Sequence, residues 1–62
     1  PLTIPQYAYH LDQETGRRTP GIVIQAEEAG GQKLVALRTL EGDNLVGLYE
    51  EFRFLGTDRP AG

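Results

Sequence analysis

The sequence predicts an all-β domain, a small barrel or sandwich, and three observations lead to this class. Short segments in which apolar and polar residues alternate recur along the chain, as is typical of half-buried strands. Turn-forming residues separate these segments at spacings of about 8–12 residues. Residues with β-branched side chains, which favour strands, lie within the segments: Ile22, Val23, Ile24, Val35 and Val46.

The alternation places strands at residues 6–11, 21–27, 33–40 and 45–49 of a single domain, 1–62. Polar, glycine-containing turns at 12–16, 29–32 and 41–44 divide them. Residues 1–5 are expected to be an extended lead-in, because Pro1 and Pro5 each block a helix. Residues 57–62 are expected to be a frayed tail.

A second interpretation of the last third of the chain remains open, an α+β fold with a helix near 44–55. Its apolar residues also follow helical spacing, with Asn44 as the N-cap and Gly56 as the stop. Gly47 in the middle opposes this helix by about 1 kcal/mol.

Composition excludes several classes of function. The 62 residues contain no Cys, so thiol catalysis, Cys-ligated zinc and disulfides are excluded. No run of 18 apolar residues is present, which excludes a membrane-spanning helix. We find no signal peptide and expect a cytoplasmic protein. We expect no enzyme activity, cofactor or metal site, because His10, Asp12 and Glu14 are too few for a metal and the prolines fit a lead-in better than N-terminal proline catalysis.

The order of the segments adds a family resemblance. A long loop after residue 11 leads to the strand at 21, a short break leads to 33–38, and a tight turn at 41–44 leads to 45–49. Glu50-Glu51-Phe52-Arg53-Phe54-Leu55 then completes the chain. This pattern resembles small SH3-like barrels of the Tudor or KOW type. The resemblance implies a five-stranded antiparallel barrel with a single helical turn before the last strand.

Such a barrel suggests a non-catalytic protein-interaction or oligomerisation module that acts in regulation or assembly. Tyrosines suit interfaces because they combine an apolar body with a polar tip, and adjacent arginines can bind a carboxylate or phosphate. We expect two aromatic rings in the core, two at its rim and one free. The predicted partner-binding residues are Tyr7, Tyr9, Arg17, Arg18 and Phe52.

Strands three and four carry apolar residues on both faces, and a monomer rarely exposes the second such patch. We assign Val35, Leu37, Val46 and Leu48 to the buried face. The other face predicts self-association, as a dimer of modest affinity. Its residues are Leu34, Ala36, Arg38, Leu45 and Tyr49.

A nucleic-acid-associated regulator is the alternative function. It would use Arg17, Arg18, Lys33 and Arg38 against phosphate. The four bases would have to converge on one face and overcome a net charge of -3, so protein partners are favoured.

Overall fold

The computed structural model describes residues 2–57 and shows an all-β chain. Its strands are β1 (Gln6–Leu11), β2 (Arg18–Ala29), β3 (Gln32–Thr39), β4 (Asn44–Leu48) and β5 (Phe52–Gly56). One 3-10 turn (Tyr49–Glu51) lies between β4 and β5. The predicted class and the helical turn before the last strand are confirmed. Pro1 of the expected lead-in and 58–62 of the expected tail lie outside the described residues.

The strands form one antiparallel sheet in the order β4-β3-β2-β1-β5. Strands β1 to β4 pair successively along the chain, and β5 returns to pair with β1. Within residues 2–57 no ladder joins β4 to β5, so the sheet is not closed and these strands are its two edges. The chain therefore has the five antiparallel strands of a small barrel-like domain.

The alternative helix near 44–55 is wrong. Residues Asn44–Leu48 pair with β3, from Arg38 opposite Asn44 to Leu34 opposite Leu48. The helical spacing is real in the sequence, but the strand pairing sets Leu45 against the buried Leu37. Tertiary burial here overrides a helical pattern that Gly47 already weakened.

Strand β2 is longer than predicted and contains an irregularity. It runs from Arg18 to Ala29, and its ladder with β3 starts at Gly21, one residue after Pro20. Pro20 thus lies where β2 pairs only with β1, a position that tolerates a missing backbone donor. The register shifts between Val23 and Gln25, which leaves Ile24 as the extra residue of a β-bulge.

The bulge reverses which residues of β2 face the core. Before it, Val23 lies opposite Leu37, and after it, Ala26 lies opposite Val35. Strict alternation would place Ile22, Ile24 and Ala26 on one face. Because paired residues share a face, the ladder instead sets Ile22 with Arg38 on the outer side and Ala26 with Val35 on the core side. A one-residue insertion shifts the alternation by one position, and no periodicity in the sequence announces it.

The core cluster lies on one side of the sheet. Its fully buried members are Ala8, Val23, Val35, Leu37 and Phe52, and Leu2, Leu45 and Phe54 pack against it. We call the opposite side of the sheet the outer face.

Two close contacts fix the sheet around this core. The side chain of Gln6 donates from Nε2 to the Thr3 carbonyl and accepts from the Gly56 amide at Oε1, which ties both ends of the described chain to β1. The backbone of Gly21 approaches the carbonyl of Arg38 on β3 so closely that a Cβ there would collide with it. Gly21 therefore sets how closely β2 and β3 approach each other.

Candidate functional site

The outer face divides into two chemically different parts. The ladder between β3 and β4 places Ala36 opposite Val46 and Leu34 opposite Leu48. We call these four residues the aliphatic patch. Val46 is 65% exposed, an unusual degree of exposure for a valine at the centre of a strand.

The structure corrects the predicted composition of the self-association face. Leu34 and Ala36 belong to it as predicted, but Val46 and Leu48 replace Leu45, which lies opposite Leu37 and packs against the core. The prediction treated Val46 and Leu48 as buried. Alternation within β4 sorts its residues into two sets on opposite faces, but it does not show which set is buried. The pairing with β3 decides which set faces the core.

The two polar members of the predicted face lie apart. Arg38 is on the outer face beside the patch, and its Nε donates to Asn44 Oδ1 at 3.2 Å. Tyr49 lies in the 3-10 turn and is 41% exposed. The Tyr49 ring centroid lies 4.9 Å from that of Phe54, and Lys33 Nζ lies 5.4 Å from the Tyr49 centroid. Tyr49 is thus an exposed ring that is packed against Phe54 and Lys33.

A second group occupies the outer face of β5, β1 and β2. Tyr9 lies opposite Arg53 of β5, and Leu11, two residues on, lies opposite Arg18 of β2. The Arg18 guanidinium carbon sits 5.4 Å from the centroid of the Tyr9 ring, a cation–π contact. We call Tyr9, Arg18 and Arg53 the arginine–tyrosine cluster; Tyr7 extends it along β1.

Among residues 2–57, the two arginines of the cluster, Arg18 and Arg53, have no carboxylate paired with them. Strands β1 and β5 and residues 18–23 of β2 contain no Asp or Glu. One terminal nitrogen of Arg53 donates to the carbonyls of Glu50 and Phe52, both at 3.1 Å. These bonds fix the guanidinium and leave its other nitrogens for a ligand.

Two predicted partner-binding residues do not join this cluster. Phe52 is only 3% exposed and belongs to the core, so it offers no surface to a partner. Aromatic character alone predicts an interface residue, but β5 turns Phe52 inward opposite His10. Arg17 lies in the β1–β2 loop, where its side chain makes no hydrogen bond or ion pair with residues 2–57.

One polar contact was missed by the sequence interpretation. His10 Nε2 and Glu51 Oε1 lie 3.4 Å apart, and the Leu48 amide donates to the same oxygen at 3.0 Å. The Glu51 side chain thus caps the 3-10 turn, whereas that of its neighbour Glu50 is exposed. Since 41 residues separate His10 from Glu51, local spacing gave no signal for this pair.

The β1–β2 loop is held by Asp12. The amides of Glu14 and Thr15 donate to Asp12 Oδ1 at 2.8 and 3.2 Å. These bonds, that of Glu14 first, stabilise the carboxylate and lower the pKa of Asp12 below its usual 3.8. The loop leads directly into Arg18, so this turn fixes the start of β2 beside the cluster.

A groove of about 410 Å³ borders the aliphatic patch at Leu34. Its floor and walls include Leu2, Ala26 and Tyr49, and the charged residues Glu27, Glu28 and Lys33 line it as well. The groove is apolar with mixed charge at its edge.

The four bases of the nucleic-acid alternative do not converge. Arg18 and Arg38 lie on the outer face, while Lys33 lies next to Tyr49 and opposite Glu28. Two adjacent carboxylates therefore lie beside Lys33, because Glu28 pairs with Lys33 itself and Glu27 pairs with Leu34. The condition we set for phosphate binding by these four residues is therefore not met. Within the described part of the chain no group of three His, Asp or Glu side chains is placed to hold a metal ion.

Among residues 2–57 no helix is long and apolar enough to cross a membrane; the cytoplasmic location stays a prediction. Comparisons of the chain with protein-family models, with curated proteins and with solved structures gave no match. The geometry of the outer face is accordingly the basis for a functional proposal.

Proposed function

We propose that this chain is a non-catalytic interaction module of the SH3-like barrel type, which self-associates and serves assembly or regulation. The strand order, with β5 beside β1 and a 3-10 turn before β5, supports the barrel type. The observation that carries the function is the aliphatic patch, above all Val46 at 65% exposure. A second copy of the chain is its proposed occupant.

Charge complementarity favours a second copy over an unrelated partner. Along β3 the patch ends at Arg38 on one side, and Glu27 of β2 lies beside Leu34 at the other. Four residues of strand, about 13 Å, separate the two ends. A two-fold axis through Ala36, perpendicular to the strands, brings Arg38 of each copy within reach of Glu27 of the other. Symmetric contacts of this kind are the commonest form of homodimer.

The interface is expected to be small. Pairing two patches buries on the order of 500 Å² per copy, less than the roughly 800 Å² of a standard interface. The dissociation constant should therefore lie on the order of 10–100 µM.

Sedimentation equilibrium tests the proposal with a matched pair of variants. Val46→Glu introduces a charge at the centre of the patch and should give a monomer at about 100 µM, a concentration at which we expect about half or more of the wild-type chains to be dimeric. Leu40→Glu is the control, because Leu40 is 77% exposed in the β3–β4 turn, outside the patch.

The charge pair gives an independent test. Arg38→Glu should weaken the dimer, and Arg38→Glu combined with Glu27→Arg should restore it. A wild type that sediments as a monomer at this concentration would overturn the proposal. A dimer equally weakened by Leu40→Glu and Val46→Glu would move the interface away from the patch.

A further inference from the structure

We infer that the arginine–tyrosine cluster is a second binding surface, which takes a short carboxylate-rich segment of another protein. It lies on β5, β1 and the first half of β2, away from the aliphatic patch on β3 and β4. The inference adds a partner class to the proposed interaction module, and its test does not depend on self-association.

The two guanidinium groups of the cluster are held in place beside Tyr9. Arg18 and Arg53 flank Tyr9 from the strands on either side of β1, at a lateral separation of about 10 Å, or two strand spacings. The Tyr9 ring supports one group and two backbone carbonyls hold the other. Guanidinium groups fixed in this way lose little freedom on binding, and their planar fork matches a carboxylate.

The cluster is locally positive although the chain as a whole is acidic. A chain with a net charge of -3 still presents a local surface with two arginines and no carboxylate. Their lack of an ion pair within the described residues means that an incoming carboxylate does not have to displace an existing partner. Charge-assisted bonds of this type are stronger than neutral ones.

Carboxylates near the cluster favour a short partner segment over a long one. Asp12 and Glu14 lie in the loop before Arg18, and Glu50 lies three residues before Arg53. A long polyanion would have to run past these carboxylates, and like charges repel over about a Debye length, ~8 Å. The Tyr9 ring is also already covered on one face by Arg18, which removes a stacking platform for a nucleic-acid base. Both features favour a protein segment over a nucleic acid.

Binding of a fluorescently labelled hexaglutamate peptide tests the inference. Anisotropy should show saturable binding with a dissociation constant on the order of 100 µM, weakening as salt is raised to about 0.15 M. Hexaglutamine, of equal length, should not bind. Amide shifts in NMR spectra of the labelled protein should change in β1, β5 and residues 18–23.

Two neighbouring arginines supply the matched variants. Arg18→Gln should weaken binding about fivefold, since it removes a guanidinium of the cluster. Arg17→Gln makes the same change of charge one residue away, outside the cluster, and should change affinity less than about twofold. Val46→Glu should leave peptide binding unchanged, so a failure here and a failure of self-association are distinguishable.

Three results would overturn the inference. One is equal loss of affinity in Arg17→Gln and Arg18→Gln, which would indicate non-specific attraction. Another is binding of hexaglutamine or no binding of either peptide. The third is tighter binding of a six-nucleotide single-stranded DNA than of hexaglutamate, which would restore the nucleic-acid function.

Discussion

The two halves of the outer face come from the same sheet and differ in chemistry on either side of one bulge. Before Ile24, β2 contributes Arg18 to the arginine–tyrosine cluster; after it, β2 contributes Glu27 beside the aliphatic patch. A single strand thus supplies a positive charge to one surface and a negative charge to the other. The bulge, more than any one side chain, therefore separates the two surfaces for which we propose different partners.

Below the outer face the two halves share one core. Ala8 and Phe52 lie under the cluster, Val35 and Leu37 under the patch, and Val23 is buried between them. Stability is therefore expected to be common to both halves even though their surfaces are independent. Substitutions at the junction should affect both, and substitutions on either surface should affect one.

The largest effect is expected at the junction itself. Gly21 pairs with Ala8 on one side and Thr39 on the other, and a Cβ at this position would collide with the Arg38 carbonyl. Gly21→Ala must push β2 and β3 apart, so it should lower the free energy of unfolding by about 3 kcal/mol. Urea denaturation followed by circular dichroism measures this loss.

Gly47→Ala is the control for that variant. A Cβ at Gly47 would meet Glu51 Oε1, the end of a side chain that can move away. Its cost should be about 1 kcal/mol, from the weakened bond to the Leu48 amide. If Gly21→Ala and Gly47→Ala lower the free energy of unfolding equally, the close approach of Gly21 to Arg38 does not join the two halves of the sheet.

Much of this architecture follows from local sequence. β1 was predicted with its observed bounds, and β3 and β4 to within one residue at each end, because alternation and turn residues act over a few positions. The helical turn before β5 came from the family resemblance. That Tyr9 and Arg18 bind a partner stays a prediction from their residue types.

The remainder depends on pairing between distant segments. Which of Leu45 or Val46 faces outward is decided by the register with β3, and the β2 bulge is set by the same ladder. Arg53 joins Tyr9 only because β5 returns to β1. Contacts between distant positions in the chain leave no periodic signal in a single sequence, so the predicted binding sites mixed residues from both faces.

A matched pair of valines tests the assignment of faces next. Val35 is fully buried, and Val46 is 65% exposed on the neighbouring strand. Val35→Ala should cost about 2 kcal/mol, because it removes two buried methyl groups and leaves a cavity. Val46→Ala should cost less than about 0.5 kcal/mol in the monomer. Thermal unfolding at low protein concentration separates these values, and equal losses would contradict the register between β3 and β4.

The smallest expected effect concerns the loop beside the arginine–tyrosine cluster and depends on pH. The bonds from the Glu14 and Thr15 amides lower the pKa of Asp12 in the folded chain. A lowered pKa means that the ionised carboxylate favours the folded state above the usual value of 3.8. This stabilisation is lost as the pH falls through the lower folded value.

Asp12→Asn removes the titration but keeps an oxygen acceptor. The melting temperature of the wild type should therefore exceed that of Asp12→Asn at neutral pH, and the difference should shrink below about pH 4. Glu14→Gln is the control, since the Glu14 side chain makes no hydrogen bond within residues 2–57. If the melting temperature of Glu14→Gln differs from that of the wild type with the same pH dependence as Asp12→Asn, the charge of the loop, and not the Asp12 turn, is responsible.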